Sequence, residues 1–148
     1  MADYNKYPNP WNFSNADKNL ISPDRKYRIE FDELCEIAMG APIGGTCYLI
    51  LNDSKIELNS WMGGPVIWNG TSTKVALPIW TKNRNQKIAV VDVTTMTITI
   101  YNQEYRVLDL QRFDDNLIIG IDSPIYMPTY VKVDIDNEKT DVIKRLNH

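Results

Sequence analysis

Apolar and polar residues alternate along most of this chain. Tyr27, Ile29, Phe31, Cys35 and Ile37 lie two residues apart, or four where Glu33 is skipped, as one face of a strand requires. Val75, Leu77 and Ile79 repeat the pattern, and so do Leu117, Ile119 and Ile121. β-Branched Ile, Val and Thr are abundant, and no segment sets apolar residues at the 3.6-residue spacing of a long amphipathic helix. The tail "EKTDVIKRLNH" is the one helical candidate, and its likeness to two earlier segments makes it a strand as well. The chain is predicted to be all-β.

Those segments are "CYLILNDSKIEL", "IAVVDVTTMTITIY" and "VKVDIDNEKTDVIKRL", each an apolar strand, a polar turn and a second alternating strand. The last apolar residues before the turns, Leu51, Val93 and Ile135, are 42 residues apart in both intervals. Upstream of each comes a turn followed by an apolar strand, "SPDRKYRIEF", "NGTSTKVALPIW" and "FDDNLIIGID", with Asp24, Gly70 and Asp115 marking the turns. Short strands "NLI", "PVIW" and "RVLDLQRF" precede them. Equal spacing on a shared pattern is the mark of internal repetition. The chain therefore reads as an N-terminal arm, 1–19, and a single β domain, 20–148. That domain holds three four-stranded repeats of about 42–46 residues, near 20–60, 61–103 and 104–148.

The units that open with a Ser-Pro-Asp-Gly-like turn, "ISPDRKY" at 21–27 and "VIWNGTSTKVAL" followed by "QKIAVVDV", resemble divergent β-propeller blades. The third unit keeps the turn in "RFDDNLIIG" and the strand ending in "VKVDID". The resemblance implies propeller-like antiparallel sheets. Propellers usually have four to eight blades, and three leave sheet edges open to a second copy of the chain. A β-trefoil, or another barrel or sandwich, is the alternative arrangement of three such units.

Composition narrows the function. Of 148 residues, 43% are hydrophobic and 24% charged, with a formal net charge of -3, an ordinary globular balance set against nucleic acid as a partner. No apolar run approaches a membrane span, and the N-terminus lacks an apolar signal core, so a cytoplasmic location is expected. Cys35 and Cys47 are expected to be buried thiols on strands. With His148 the sole histidine, they build no ordinary zinc site, and no metal or cofactor is expected.

In "AMGAPIGGTCYLIL", Gly40 and Gly45 have the spacing of a phosphate-binding loop. Thr46 and Cys47 replace its lysine and hydroxyl residue, however, and a strand follows where a helix should open. The glycines are instead assigned to a connection between strands. "DIDNEKTD" at 134–141 lacks the central glycine and distal glutamate of a calcium loop, so it reads as a polar turn. Asp114, Asp115 and Asp122 read as turn chemistry and a strand end. A nucleophile–histidine mechanism would rest on the terminal His148. No enzyme is expected.

If the units are blades, the loops "AMGAPIGG", "TKNRNQ", "SPIYMPT" and "NSWMGGP" share one rim. That rim carries Met39, Pro42, Ile43, Trp61, Met62, Ile125, Tyr126 and Met127 as partner-contact candidates. The other rim carries Asp24, Arg25, Lys26, Asp53, Asp114, Asp115, Asp136 and Glu138. Tyr4, Tyr7, Trp11 and Phe13 make the arm sticky enough to fold over a sheet edge. Aromatic and Met side chains on loops suit recognition. The expected function is a non-catalytic protein-binding module, most concretely a bacterial immunity protein covering a toxin. The alternative is a lectin-like, glycan-binding β protein.

Overall fold

A computed structural model describes residues 6–146; Tyr4 and His148 lie outside them. The strands are β1 (Tyr27–Glu36), β2 (Ile43–Leu51), β3 (Ser54–Met62), β4 (Ile67–Trp68), β5 (Lys74–Trp80), β6 (Gln86–Asp92), β7 (Thr97–Tyr101), β8 (Leu108–Asp114), β9 (Leu117–Asp122), β10 (Thr129–Asp134) and β11 (Thr140–Arg145). A 3-10 turn at Lys18–Leu20 is the only helical element among the described residues. None of their helices is long and apolar enough to cross a membrane. All the pairings are antiparallel. The larger sheet runs β1-β2-β3-β5-β6-β7-β11 with β4 against β5, and the smaller runs β10-β9-β8; neither closes into a barrel.

The larger sheet folds back on itself. Ile29, Phe31, Cys47, Leu49, Ile56 and Leu58 from β1–β3 share one core with Val75, Leu77, Ala89, Val91, Ile98 and Ile100 from β5–β7. On the other face of β5 and β6, Ala76, Ile88 and Val90 join Leu108, Leu110, Phe113, Ile118, Val131 and Val133 of the smaller sheet in a second core. Strands β5 and β6 are thus covered on both faces. This explains why "VALPIW" and "IAVV" are continuous apolar runs, whereas β1 alternates. Pro78 lies inside β5 without losing a ladder bond. Its side of the strand passes from β4, paired at Val75 and Ala76, to the end of β3, paired at Ile79, and its carbonyl accepts from Gly63 N at 2.9 Å. The outer face of β1–β3 is polar: Glu30 bonds Arg28 and Lys55, and Lys55 Nζ sits 4.3 Å from the Tyr48 ring centroid.

Several expectations are corrected. The segment "NLI" forms the 3-10 turn and a single bridge, Ile21↔Arg28, rather than a strand. The tail is a strand, β11, but it leaves the third unit. It pairs with β7 rather than β10, so among the described residues β10 keeps a free edge, and every residue of β11 is exposed. Cys35 is exposed, because β1 bulges between Asp32 and Cys35, with Glu33 at φ 58°, and the alternation changes face there. Cys47 is buried, and burial pushes its thiol pKa up.

The glycines of the first hairpin also have two distinct jobs. Only Gly40 takes a left-handed backbone, at φ 76°. Gly44 and Gly45 lie within β2 and serve close approach. A Cβ on Gly45 would overlap the Asp32 carbonyl oxygen at the bulge, and one on Gly44 would meet Trp80 Nε1 at 2.8 Å. Gly120 likewise faces the bulge of β8, where its Cβ would lie 2.7 Å from the Asp109 carbonyl oxygen.

Candidate functional site

Three chain segments far apart in sequence meet at one end of the molecule. The first is the N-terminal arm. Asn9 shapes it by donating from Nδ2 to Lys6 O at 2.6 Å and accepting Trp11 N–H at Oδ1 at 2.9 Å. Pro10 O accepts Ile43 N–H at 3.1 Å, tying the arm to the start of β2, and Phe13 is buried against Phe31 with ring centroids 5.1 Å apart. Trp11 then donates its indole N–H to Gly40 O at 3.2 Å.

The second segment is the β1–β2 loop, residues 37–42. Ile37 N–H to Pro42 O and Ala41 N–H to Ala38 O close it, and Glu36 Oε2 accepts Gly40 N–H at 2.8 Å. Met39 at its tip is fully exposed. The third is the β9–β10 loop, residues 123–128, beside Arg106 and Val107. Asp122 Oδ1 accepts the N–H groups of Arg106 and Val107 at 2.9 and 3.0 Å, Ser123 N–H reaches Val107 O, and Tyr126 N–H reaches Ser123 O. Left-handed residues at Ser123 and Met127 fold the loop back. Ile125, Tyr126 and Met127 are left exposed, with Tyr130 on β10 close behind.

Between the three segments lies a cleft of about 290 Å³ lined by Trp11, Gly40, Arg106, Val107, Ser123, Ile125 and Tyr126. Its walls are mostly apolar and aromatic, and Arg106 is the one charged side chain among them. Hydrogen-bonded backbone holds it; Arg106, Ile125 and Tyr126 are exposed there, and Trp11, Val107 and Ser123 are half-buried.

The eight rim candidates separate by burial. Met39, Ile125, Tyr126 and Met127 are exposed, and the last three share one loop. Ile43 and Trp61 are half-buried, Ile43 packing against the first core and Trp61 lying 6.0 Å from Trp80 ring to ring. Pro42 is buried. Met62 is at 0% exposure, paired with Gly45 and Ile79 in the first core, so it is a packing residue with no surface to offer a partner. The loop "NSWMGGP" continues β3 directly into the core, and that continuity drew Met62 inward. Arg106 and Val107 were not among the candidates. They belong to a connection between sheets, and bonds to Asp122 and Ser123, distant in sequence, bring them to the cleft.

On the opposite rim, the turn at Asp24 meets the turn at Ser72 through Asp24 N–H to Ser72 Oγ at 2.9 Å. Asn116 Nδ2 donates to Asp136 at 2.7 Å. Glu138 is half-buried, close enough to Tyr101 and Tyr105 to raise both their pKa values. No group of three or more His, Cys, Asp or Glu side chains among the described residues is placed to hold a metal ion. No protein-family model, curated protein or solved structure matches the chain.

Proposed function

We propose that this chain is a non-catalytic protein-binding module whose contact surface is the cleft end built from the arm, the β1–β2 loop and the β9–β10 loop. The observation that carries the proposal is the exposure there of Met39, Ile125, Tyr126 and Met127 beside the half-buried Trp11. Aromatic and Met side chains around an apolar depression are the residue types enriched at the centres of protein interfaces. The most concrete form of the proposal is a cytoplasmic immunity protein that blocks a bacterial toxin. The finer fold reading belongs with it. The meanders β1–β2–β3, β4–β5–β6–β7 and β8–β9–β10 are read as three blade-like units, of which the last has given its fourth strand to the second.

The test is protection and binding with any toxin encoded beside this gene. A 1:1 complex is expected by calorimetry. Trp11→Ala and Tyr126→Ala are each expected to cost about 2 kcal/mol, roughly thirtyfold in affinity. Absence of both binding and protection sinks the immunity reading. Tight binding that neither substitution weakens places the interface elsewhere.

A second reading, glycan binding, draws on the two aromatic side chains of the same cleft, Trp11 and Tyr126, as stacking platforms. It predicts saturable signals on a glycan array that Trp11→Ala abolishes.

A further inference from the structure

An open groove of about 950 Å³ lies away from that cleft, where the Ser22–Lys26 turn faces the end of the β2–β3 hairpin. Its lining includes Ile21, Tyr27 and Ile50 as apolar wall and Arg25, Lys26 and Arg28 as cations, with no carboxylate. Three of four consecutive residues are cationic here, in a chain whose formal net charge is -3.

Two neighbouring acids are hydrogen-bonded, and Asp53, beside Asn52 at the hairpin tip, is not part of the lining. Asp24 Oδ1 accepts from Ser22 Oγ at 2.6 Å and from Lys26 N–H at 3.0 Å, which folds the carboxylate into its own turn. Glu30 bonds Arg28 at 2.8 Å and Lys55 at 3.2 Å. Arg25 and Lys26 make no ion pair among the described residues.

The turn is also held before any ligand arrives. Ser22 N–H reaches Tyr27 O, Arg25 N–H reaches Ser22 O, Tyr27 N–H reaches Ser22 Oγ, and Ser72 Oγ anchors Asp24 N–H. Tyr27 is further fixed by stacking on Trp68, with ring centroids 6.1 Å apart. Arg25 takes a left-handed backbone at φ 64°, a conformation that Gly or Asn would adopt more cheaply. Arg84 takes the same backbone conformation, so what suits this place to an amphipathic anion is the grouping of three cations beside an apolar wall.

We propose that this groove binds a phosphate monoester with an apolar or aromatic body. The phosphate meets Arg25, Lys26 and Arg28, and the body lies against Tyr27, Ile21 and Ile50. Two negative charges on the head match Arg25 and Lys26, with Lys26 shared between ligand and Asp24 and Arg28 between ligand and Glu30. The site is separate from the protein-binding face and does not depend on it.

Amide NMR titration of the full chain tests the proposal with phenyl phosphate as probe, and with inorganic phosphate, benzoate and phenol beside it. Phenyl phosphate is expected to saturate with a Kd of about 1 mM or tighter, shifting amides in 21–28 and 50–52. Affinity should rise between pH 5 and 7.5 as the second phosphate proton leaves near ~6. Arg25→Gly with Lys26→Gln should weaken binding about tenfold, since each removes a charge-assisted contact. Arg25→Gly also relaxes the turn, so an unchanged fold is expected. Four outcomes overturn the proposal. They are no saturation by about 10 mM; equal binding of inorganic phosphate, which marks an adventitious ion only; equal binding of benzoate or phenol; or affinity unchanged in the double variant.

Discussion

At the cleft end, two six-residue loops, 37–42 and 123–128, present Met39, Ile125, Tyr126 and Met127. At the other end, two-residue connections join β2 to β3 through Asn52–Asp53 and β8 to β9 through Asp115–Asn116. A connection that short must place a residue in the left-handed region, and Asn52 and Asp115 do so at φ 51° and 53°. Its chemistry is therefore set by backbone geometry, and Asn and Asp are what that geometry tolerates. The longer loops close on their own hydrogen bonds and leave the side chains at their tips unconstrained. Apolar residues at such tips have no structural reason to be there, and this is why the cleft end carries the functional argument. The polar residues of the tight turns carry none by their presence alone; Arg25 differs from Arg84, the other left-handed arginine, in having Lys26, Arg28 and an apolar wall beside it.

The contrast breaks most visibly at two methionines that the chain pattern placed on the same rim. Met62 fills the first core, and Met62→Ala is expected to cost about 2–5 kcal/mol by opening a cavity. Met39→Ala, at a fully exposed tip, should stay within about 0.5 kcal/mol. Urea unfolding midpoints of the two variants settle the pair. Equal losses would mean that Met39 is packed and the cleft end is not a free surface.

A finer test uses two glycines of one hairpin. Gly45→Ala should cost about 1–3 kcal/mol, because its Cβ overlaps the backbone of the β1 bulge. Gly40→Ala should cost about 1–2 kcal/mol for a different reason, its left-handed backbone, with open space around the new Cβ. Asn separates the causes. Gly40→Asn should recover most of the loss, since Asn adopts this conformation readily, whereas Gly45→Asn should be worse than Gly45→Ala. Thermal melts of the four variants read the order directly, and recovery at residue 45 would remove the close-approach account of β2.

These examples show what could be read in the residues. The all-β class was legible, because alternation and β-branched content are local properties. The bulge that exposes Cys35 was not, since a single inserted residue reverses the facing of everything after it. The continuous apolar runs of β5 and β6 signalled burial on both faces, but not which sheets cover them. The choice of β7 over β10 by β11 is a long-range pairing; alternation in "TDVIKR" fits either edge equally. Cleft residues such as Arg106 were hidden for the same reason. A hydrogen bond to Asp122, not a local pattern, places Arg106 there.

The smallest expected effect concerns Glu138, which the chain pattern assigned to the polar rim and which lies instead beside Tyr101 and Tyr105. Both tyrosines are pushed up to about 12, first by burial, with Asp136 and Glu138 adding for Tyr101 and Glu138 and Asp122 for Tyr105. An unfolded tyrosine ionises near ~10. The folded state holds these protons more tightly, so their contribution to stability is complete below about pH 10 and is lost as pH rises toward 12. Urea midpoints should be level up to about pH 9 and then fall. Glu138→Gln and Tyr105→Phe should each make the fall shallower, the first by lowering the folded pKa values and the second by removing one ionisation. The same substitutions should leave the midpoint at neutral pH nearly unchanged, because both tyrosines are protonated in either state there. A decline that keeps its slope in both variants would separate Glu138 from the tyrosines and return it to the polar rim.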